Sequence, residues 1–281
     1  MFALKIPIAI RRSAKLLAVI SPKLATRFAV KLFISPLRHD IPKRELDYDR
    51  KTTHQRIYID AIQKEIEVYV YGSGSQTILI SHGWSGRGTQ LFKIAERLTK
   101  MGFRVVSFDG PSHGRSTGKT TLMIEFIASI LQLQKEFGGF YSAVGHSLGG
   151  MSILNAAVRG LEVEKLVTIG AGDVIYDIIL DFVKQLGLDE SYAKRMQNYF
   201  EKKYQMKMHD LSASVAAAGV KQPTLIVHDK QDDDVPVTCA YAIAEKLENG
   251  TLLITERLGH RKILGDADVI SQIADFLRID N

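Results

Sequence analysis

The period of apolar positions along the 281-residue chain changes repeatedly, and each change marks an element. Runs of β-branched and aromatic residues predict strands at Arg56 to Asp60, Glu65 to Tyr71, Thr77 to Ser81, Arg104 to Asp109, Tyr141 to Gly145, Lys165 to Ile169, Thr224 to His228 and Thr251 to Thr255. The first two are close enough to form a hairpin. From the third onward, segments with helical spacing lie between the strands, such as Leu91, Ile94, Ala95 and Leu98, or Leu122, Phe126, Ile127, Ile130 and Leu131. This alternation predicts an α/β fold with a mostly parallel eight-stranded sheet and helices on both faces. The spacer between Ile169 and Thr224 is too long for a simple crossover and reads as helical, with Ile175, Ile178, Ile179, Phe182 and Leu186 on one face. Residues 171–221 are therefore expected to form a small helical cap, with Ile175, Ile178, Ile179 and Phe182 lining a substrate pocket.

The first 50 residues follow a different pattern. Leu4, Ile8, Leu16, Leu17, Val19 and Ile20, then Leu24, Phe28, Val30, Leu32 and Phe33 beyond Pro22, recur at helical spacing among basic residues. This predicts an N-terminal basic amphipathic helical arm over 1–50, followed by a single domain over 51–281 that includes the cap. Charge follows the same division. Residues 1–44 carry ten Lys or Arg against one acid, a balance of +9, and the remainder has 27 basic and 30 acidic residues, or −3, within a total of +6. A mildly acidic body does not bind nucleic acid. Basic residues interrupt the apolar N-terminus, so neither a membrane span nor a cleaved secretory signal is expected. Two readings of the arm remain: a helix pair on an anionic membrane surface, touching it through residues 1–34, or helices packed on the domain's own surface.

Composition narrows the picture further. A chain that is 46% apolar and 24% charged is neither disordered nor fibrous. The lone Cys239 excludes an internal disulfide and a cysteine metal cage, and is expected to be a small buried hydrophobe. It fits a reducing compartment, so the expected location is cytoplasmic, with peripheral contact at the inner membrane surface.

Open parallel sheets bind ligands beyond the carboxyl ends of their strands. Gly145-His146-Ser147-Leu148-Gly149 follows one strand and leads directly into helical sequence, the context of a nucleophile elbow. Gly110-Pro111-Ser112-His113-Gly114 has identical spacing, but Arg115 to Lys119 continues as a polar loop, so Ser147 is preferred over Ser112. The same loop nearly spells a phosphate-binding motif at Gly118-Lys119-Thr120. His113 stands where the first glycine is needed, and no later strand ends in a magnesium-holding Asp, so a nucleotide hydrolase is not expected.

A serine hydroxyl needs a histidine to accept its proton, and that imidazole needs a carboxylate to fix its tautomer. Of the histidines after Ser147, His209 lies in the cap and His228 precedes any suitable acid, which leaves His260 as base. Among Asp229, Asp232, Asp233 and Asp234, the position before Val235-Pro236 favours Asp232, with Asp233 as the alternative. The backbone N–H groups of Leu148 and Trp84 are the candidate oxyanion donors, and His82 reads as a structural hydrogen-bonding residue.

His82-Gly83-Trp84, Asp109 to Ser116, Gly145 to Gly150, His228-Asp229 with Asp232 and Val235-Pro236, and Leu258-Gly259-His260 together resemble the α/β-hydrolase family of serine esterases and lipases over roughly residues 55–278. The resemblance implies hydrolysis of ester, amide or thioester bonds without cofactor or metal, and it supports Ser112 as structural. A serine at 147 departs from the dehalogenase branch, whose nucleophile is Asp, and the cationic arm is not part of the family's common core. The expected activity is that of a carboxylesterase or lysophospholipase acting on a small-molecule ester with an apolar acyl or alcohol group through an acyl-enzyme. The alternative is a non-catalytic hydrolase-fold binding protein at a membrane surface.

Overall fold

A computed structural model describes residues 6–279; Leu4 and Lys5 of the arm lie outside the described residues. Eight strands form one sheet: β1 (Thr53–Ile59), β2 (Lys64–Tyr71), β3 (Thr77–Ser81), β4 (Arg104–Phe108), β5 (Ser142–His146), β6 (Lys165–Ile169), β7 (Thr224–Asp229) and β8 (Gly250–Thr255). Their spatial order is β1-β2-β4-β3-β5-β6-β7-β8. β2 pairs antiparallel with β1 and β4, and every other pairing is parallel. The helices are α1 (Ile8–Ile20), α2 (Pro22–Phe33), α3 (Leu46–Lys51), α4 (Phe92–Lys100), α5 (Met123–Phe137), α6 (Leu148–Ala157), α7 (Ile175–Leu186), α8 (Glu190–Tyr204), α9 (Ala213–Ala217), α10 (Thr238–Lys246), α11 (Gly259–Lys262) and α12 (Ala267–Phe276).

Each predicted strand coincides with an observed one to within a few residues, because the central strands are buried on both sides and read as continuous apolar runs. Alternate residues feed opposite core layers. Leu79, Val106, Ala143, Leu166 and Ile226 pack beneath α5, α6, α10 and the cap. Ile78, Ile80, Val105, Val144, Val167 and Val227 pack against α4 and α12.

The segment between β6 and β7 contains α7, α8, a 3-10 turn over Met208–Leu211, and α9. The arm is packed against this segment: α1 lies on α7, and α2 on both α7 and α8. Ala14, Ala25 and Ala29 are fully buried, and their small size lets the helices approach closely. The Phe33 ring packs edge-on against Phe182, with centroids 5.3 Å apart, and 6.0 Å from Phe200.

Inside the 1–50 segment, Glu45 and Tyr48 are buried against the body. Glu45 accepts two hydrogen bonds from Arg87, both at 2.7 Å, and one from the Thr89 hydroxyl at 2.8 Å. A bidentate pair of this kind ties the chain before β1 to the loop after β3. Neither partner carries a local sequence signal; only the fold brings positions 45 and 87 together.

Candidate active site

The turn from β5 into α6 places Ser147 at φ 54°, ψ −119°, a conformation that costs a non-glycine residue on the order of 1–3 kcal/mol. Packing holds the strained residue there. The Ser147 N–H donates to the Ile169 carbonyl at 2.8 Å, and a Cβ on Gly145 or Gly149 would collide with neighbouring backbone. Glycine at both positions is therefore a steric requirement of the turn, not a flexible spacer.

Ser112 also has positive φ, 67°, but its surroundings are different. Its side chain is buried and its Oγ donates to the Thr120 carbonyl at 2.8 Å, which closes the loop over residues 112–120. Arg38 caps the same loop by donating to the carbonyls of Ser112, Ser116 and Gly118. The stretch that nearly spelled a phosphate loop is thus stitched shut by its own chain.

Asp232 follows β7. Its Oδ1 accepts from the backbone N–H groups of Asp234 at 2.9 Å and Val235 at 2.8 Å, which orients the carboxylate. Its Oδ2 lies 2.7 Å from His260 Nδ1. That contact places the imidazole proton on Nδ1 and leaves Nε2 as the free acceptor. Asp233, the sequence alternative, is exposed. Asp229 takes a supporting position: it accepts from the Thr255 hydroxyl at 2.7 Å and the Leu258 N–H at 3.0 Å, joining the Asp232 turn to the loop that carries His260. Burial raises its pKa, but the hydrogen bonds from Thr255 and nearby backbone prevail and hold the carboxyl below its ordinary value.

Three further histidines surround these groups, all with pKa values lowered chiefly by burial. His82 accepts from the Gly110 N–H at 2.8 Å through Nε2, so Nδ1 donates to the Gly83 carbonyl at 2.6 Å. It braces the loop carrying Gly83 and Trp84, and burial, followed by the neighbouring His113, drives its pKa well down. His146 lies beside Ser147, and its Nε2 donates to the His260 carbonyl at 3.0 Å. Its Nδ1 is buried with no hydrogen-bond partner among the described residues, and burial keeps the ring neutral. His228 donates through Nε2 to the Val235 carbonyl at 2.9 Å, backing the Asp232 turn. The structural role of His82 is the one its sequence position suggested, whereas those of His146 and His228 carry no sequence signal.

Ser147, His260, Leu148 and Trp84 all line one cavity of about 410 Å³. Its wall is mainly apolar: Phe33 from the arm, Leu122 to Ile124 before and within α5, and Phe200, Met206 and Met208 from the cap. Two of the four predicted pocket residues, Ile175 and Ile178, face it. Ile179 and Phe182 do not. They continue the same apolar stripe of α7, but α1 and α2 cover that part of it, and both side chains are buried in the core. A pattern on one helix cannot show where the arm ends and the cavity begins.

A model of the alpha/beta hydrolase fold matches residues 76–218, about half of the chain. The chain belongs to the α/β-hydrolase family. A second model, described as TAP-like protein, matches residues 196–279 of this α/β hydrolase. Similar solved structures include an esterase from Exiguobacterium antarcticum, 19% identical, covering 80% of this chain and 99% of its own with a TM-score of 0.63. An esterase from Pyrococcus furiosus is 17% identical over 87% of this chain and 97% of its own, with a TM-score of 0.66. A bromoperoxidase from Bacillus anthracis is 16% identical over 80% of this chain and 99% of its own, with a TM-score of 0.61. At such identities these likenesses establish the fold alone. No curated protein matches the chain.

Proposed function

We propose that this α/β hydrolase is a serine esterase that cleaves carboxylic esters with an apolar acyl or alcohol group. The observation that carries the reading is the 2.7 Å contact between the buried Asp232 and His260, whose ring lines the same cavity as the strained Ser147. Ser147 Oγ attacks the ester carbonyl carbon while His260 Nε2 accepts its proton, and Asp232 stabilises the resulting imidazolium. The developing oxyanion is held by the N–H groups of Trp84 and Leu148; Leu148 opens α6, where amides lack intrahelical partners and the helix dipole favours negative charge. Collapse expels the alcohol, protonated by His260, and leaves an acyl-serine. Water then releases the acid by the same relay.

The apolar wall favours a hydrocarbon acyl chain, and a lysophospholipid or monoacylglycerol is the refinement we adopt. The deciding experiment is labelling with a fluorophosphonate probe. Wild type and Ser112→Ala are expected to label, and Ser147→Ala is not. Labelling that survives Ser147→Ala would overturn the assignment, and a wild type that never labels would favour the non-catalytic binding protein. An ester chain-length panel with amide and thioester analogues then defines the substrate.

A further inference from the structure

The helix α1 carries apolar residues on two opposite faces. Ala14 is buried in the core of the domain, and Ile10, Leu17 and Ala18 pack against that core half-buried. On the opposite side Ile8, Leu16, Val19 and Ile20 face outward, with exposures of 65%, 62%, 85% and 63%. Their spacing from Ile8 through Leu16 to Val19 and Ile20 places them on one stripe of the helix, which also contains Arg12. Leu24, 45% exposed at the start of α2, extends the patch. A single exposed leucine needs no explanation, but several large apolar side chains grouped on one helix face mark an interaction surface.

The adjoining helix supplies charge. Lys23, Arg27 and Lys31 recur every four residues along α2, which packs against α1, and all are exposed, so they form a basic row on that helix. Arg11 and Lys15 edge the patch on the other side, near Gly187 at the carboxyl end of α7, where the helix dipole favours cations. No acidic residue occurs between positions 6 and 39. A second copy of this chain is a poor occupant, because a two-fold contact would bring this basic face against its own copy. No described helix is long and apolar enough to cross a membrane.

We infer that the outward face of α1 and α2 is a docking surface for a bilayer containing anionic phospholipid. Ile8, Leu16, Val19 and Ile20 enter the headgroup boundary while Arg12, Lys23, Arg27 and Lys31 engage lipid phosphates. α2 ends at Phe33, which lines the cavity, so docking holds the cavity wall close to the lipid. The inference does not depend on the esterase reading.

The test is co-sedimentation of the full-length chain with two vesicle types, phosphatidylcholine alone and phosphatidylcholine mixed with phosphatidylglycerol. Partitioning onto the mixed vesicles is expected to exceed that onto phosphatidylcholine by about tenfold or more, and to fall as salt is raised. Combined Lys23→Glu, Arg27→Glu and Lys31→Glu should abolish that preference. Combined Leu16→Ser, Val19→Ser and Ile20→Ser should weaken binding at every salt concentration. The altered side chains are exposed, and unchanged circular dichroism melting would confirm that the variants are folded; the wild-type lipid and salt dependence is decisive without them. Equal partitioning onto both vesicle types, binding to neither, or a dimer in solution that dissociates on the serine substitutions would overturn the inference.

Discussion

At residue scale, chemistry and support are carried by side chains of the same type. Asp232 and Asp233 are adjacent, yet only Asp232 is buried and bonded to His260. Asp232→Asn should preserve the fold and lower kcat by up to about ten-thousand-fold, because the amide favours the wrong imidazole tautomer; Asp233→Asn should leave kcat unchanged. Steady-state kinetics on a short-chain ester compares the two. Gly83 offers a finer test. A Cβ there would lie 2.8 Å from the Ser147 Cβ, within the loop expected to supply an oxyanion donor. Gly83→Ala should therefore reduce kcat by about tenfold or more, and the same clash should also lower the melting temperature. Loss of stability without loss of kcat would mean that the loop does not serve the oxyanion.

At element scale, the loop after β3 and the segment before β1 stand or fall together through Glu45 and Arg87. Glu45→Ala strands a buried guanidinium and should cost about 3–5 kcal/mol in chemical denaturation. Adding Arg87→Met to that variant should recover much of the loss, since the penalty lies in the uncompensated charge and not in the missing contact. The strands and the Ser147 elbow were legible because their signals are local: continuous apolar runs, and glycines on either side of a serine before helical sequence. The division of the α7 stripe was not. Ile175 and Ile179 are both buried in the core and one turn apart, yet only Ile175 also lines the cavity, while α1 and α2 cover the stripe beyond it.

At the scale of the whole molecule, several buried histidines govern behaviour in acid. Burial lowers the pKa of His113 from the ordinary 6.5 to about 4, and lowers those of His82, His146 and His228 in the same direction. For His113 the unfolded chain binds more protons than the folded one between about 4 and 6.5, and the other three rings act in the same direction below 6.5, so stability rises with pH there. The contribution of His113 is fully present above about 6.5 and is lost as pH falls toward 4. Thermal unfolding followed at about pH 7 and about pH 5 should show a clear drop in melting temperature on acidification. A flat profile would mean that these rings are hydrated and titrate normally.

The order of motifs along the chain, Ser147 then Asp232 then His260, together with the alternation of strand and helix, already pointed to the α/β-hydrolase fold and to its candidate nucleophile, acid and base. These are signals of short range, written in neighbouring residues. How Asp232 rather than its fallback Asp233 reaches the imidazole, what His146 and His228 brace, and which apolar residues line the cavity depend on chain segments brought together from far apart. His260 contacts Asp232 and His146 across 28 and 114 residues, and Arg87 reaches Glu45 across 42. Tertiary packing decided these contacts because burial and hydrogen-bond satisfaction belong to the assembled surroundings of a side chain, not to its place in the chain.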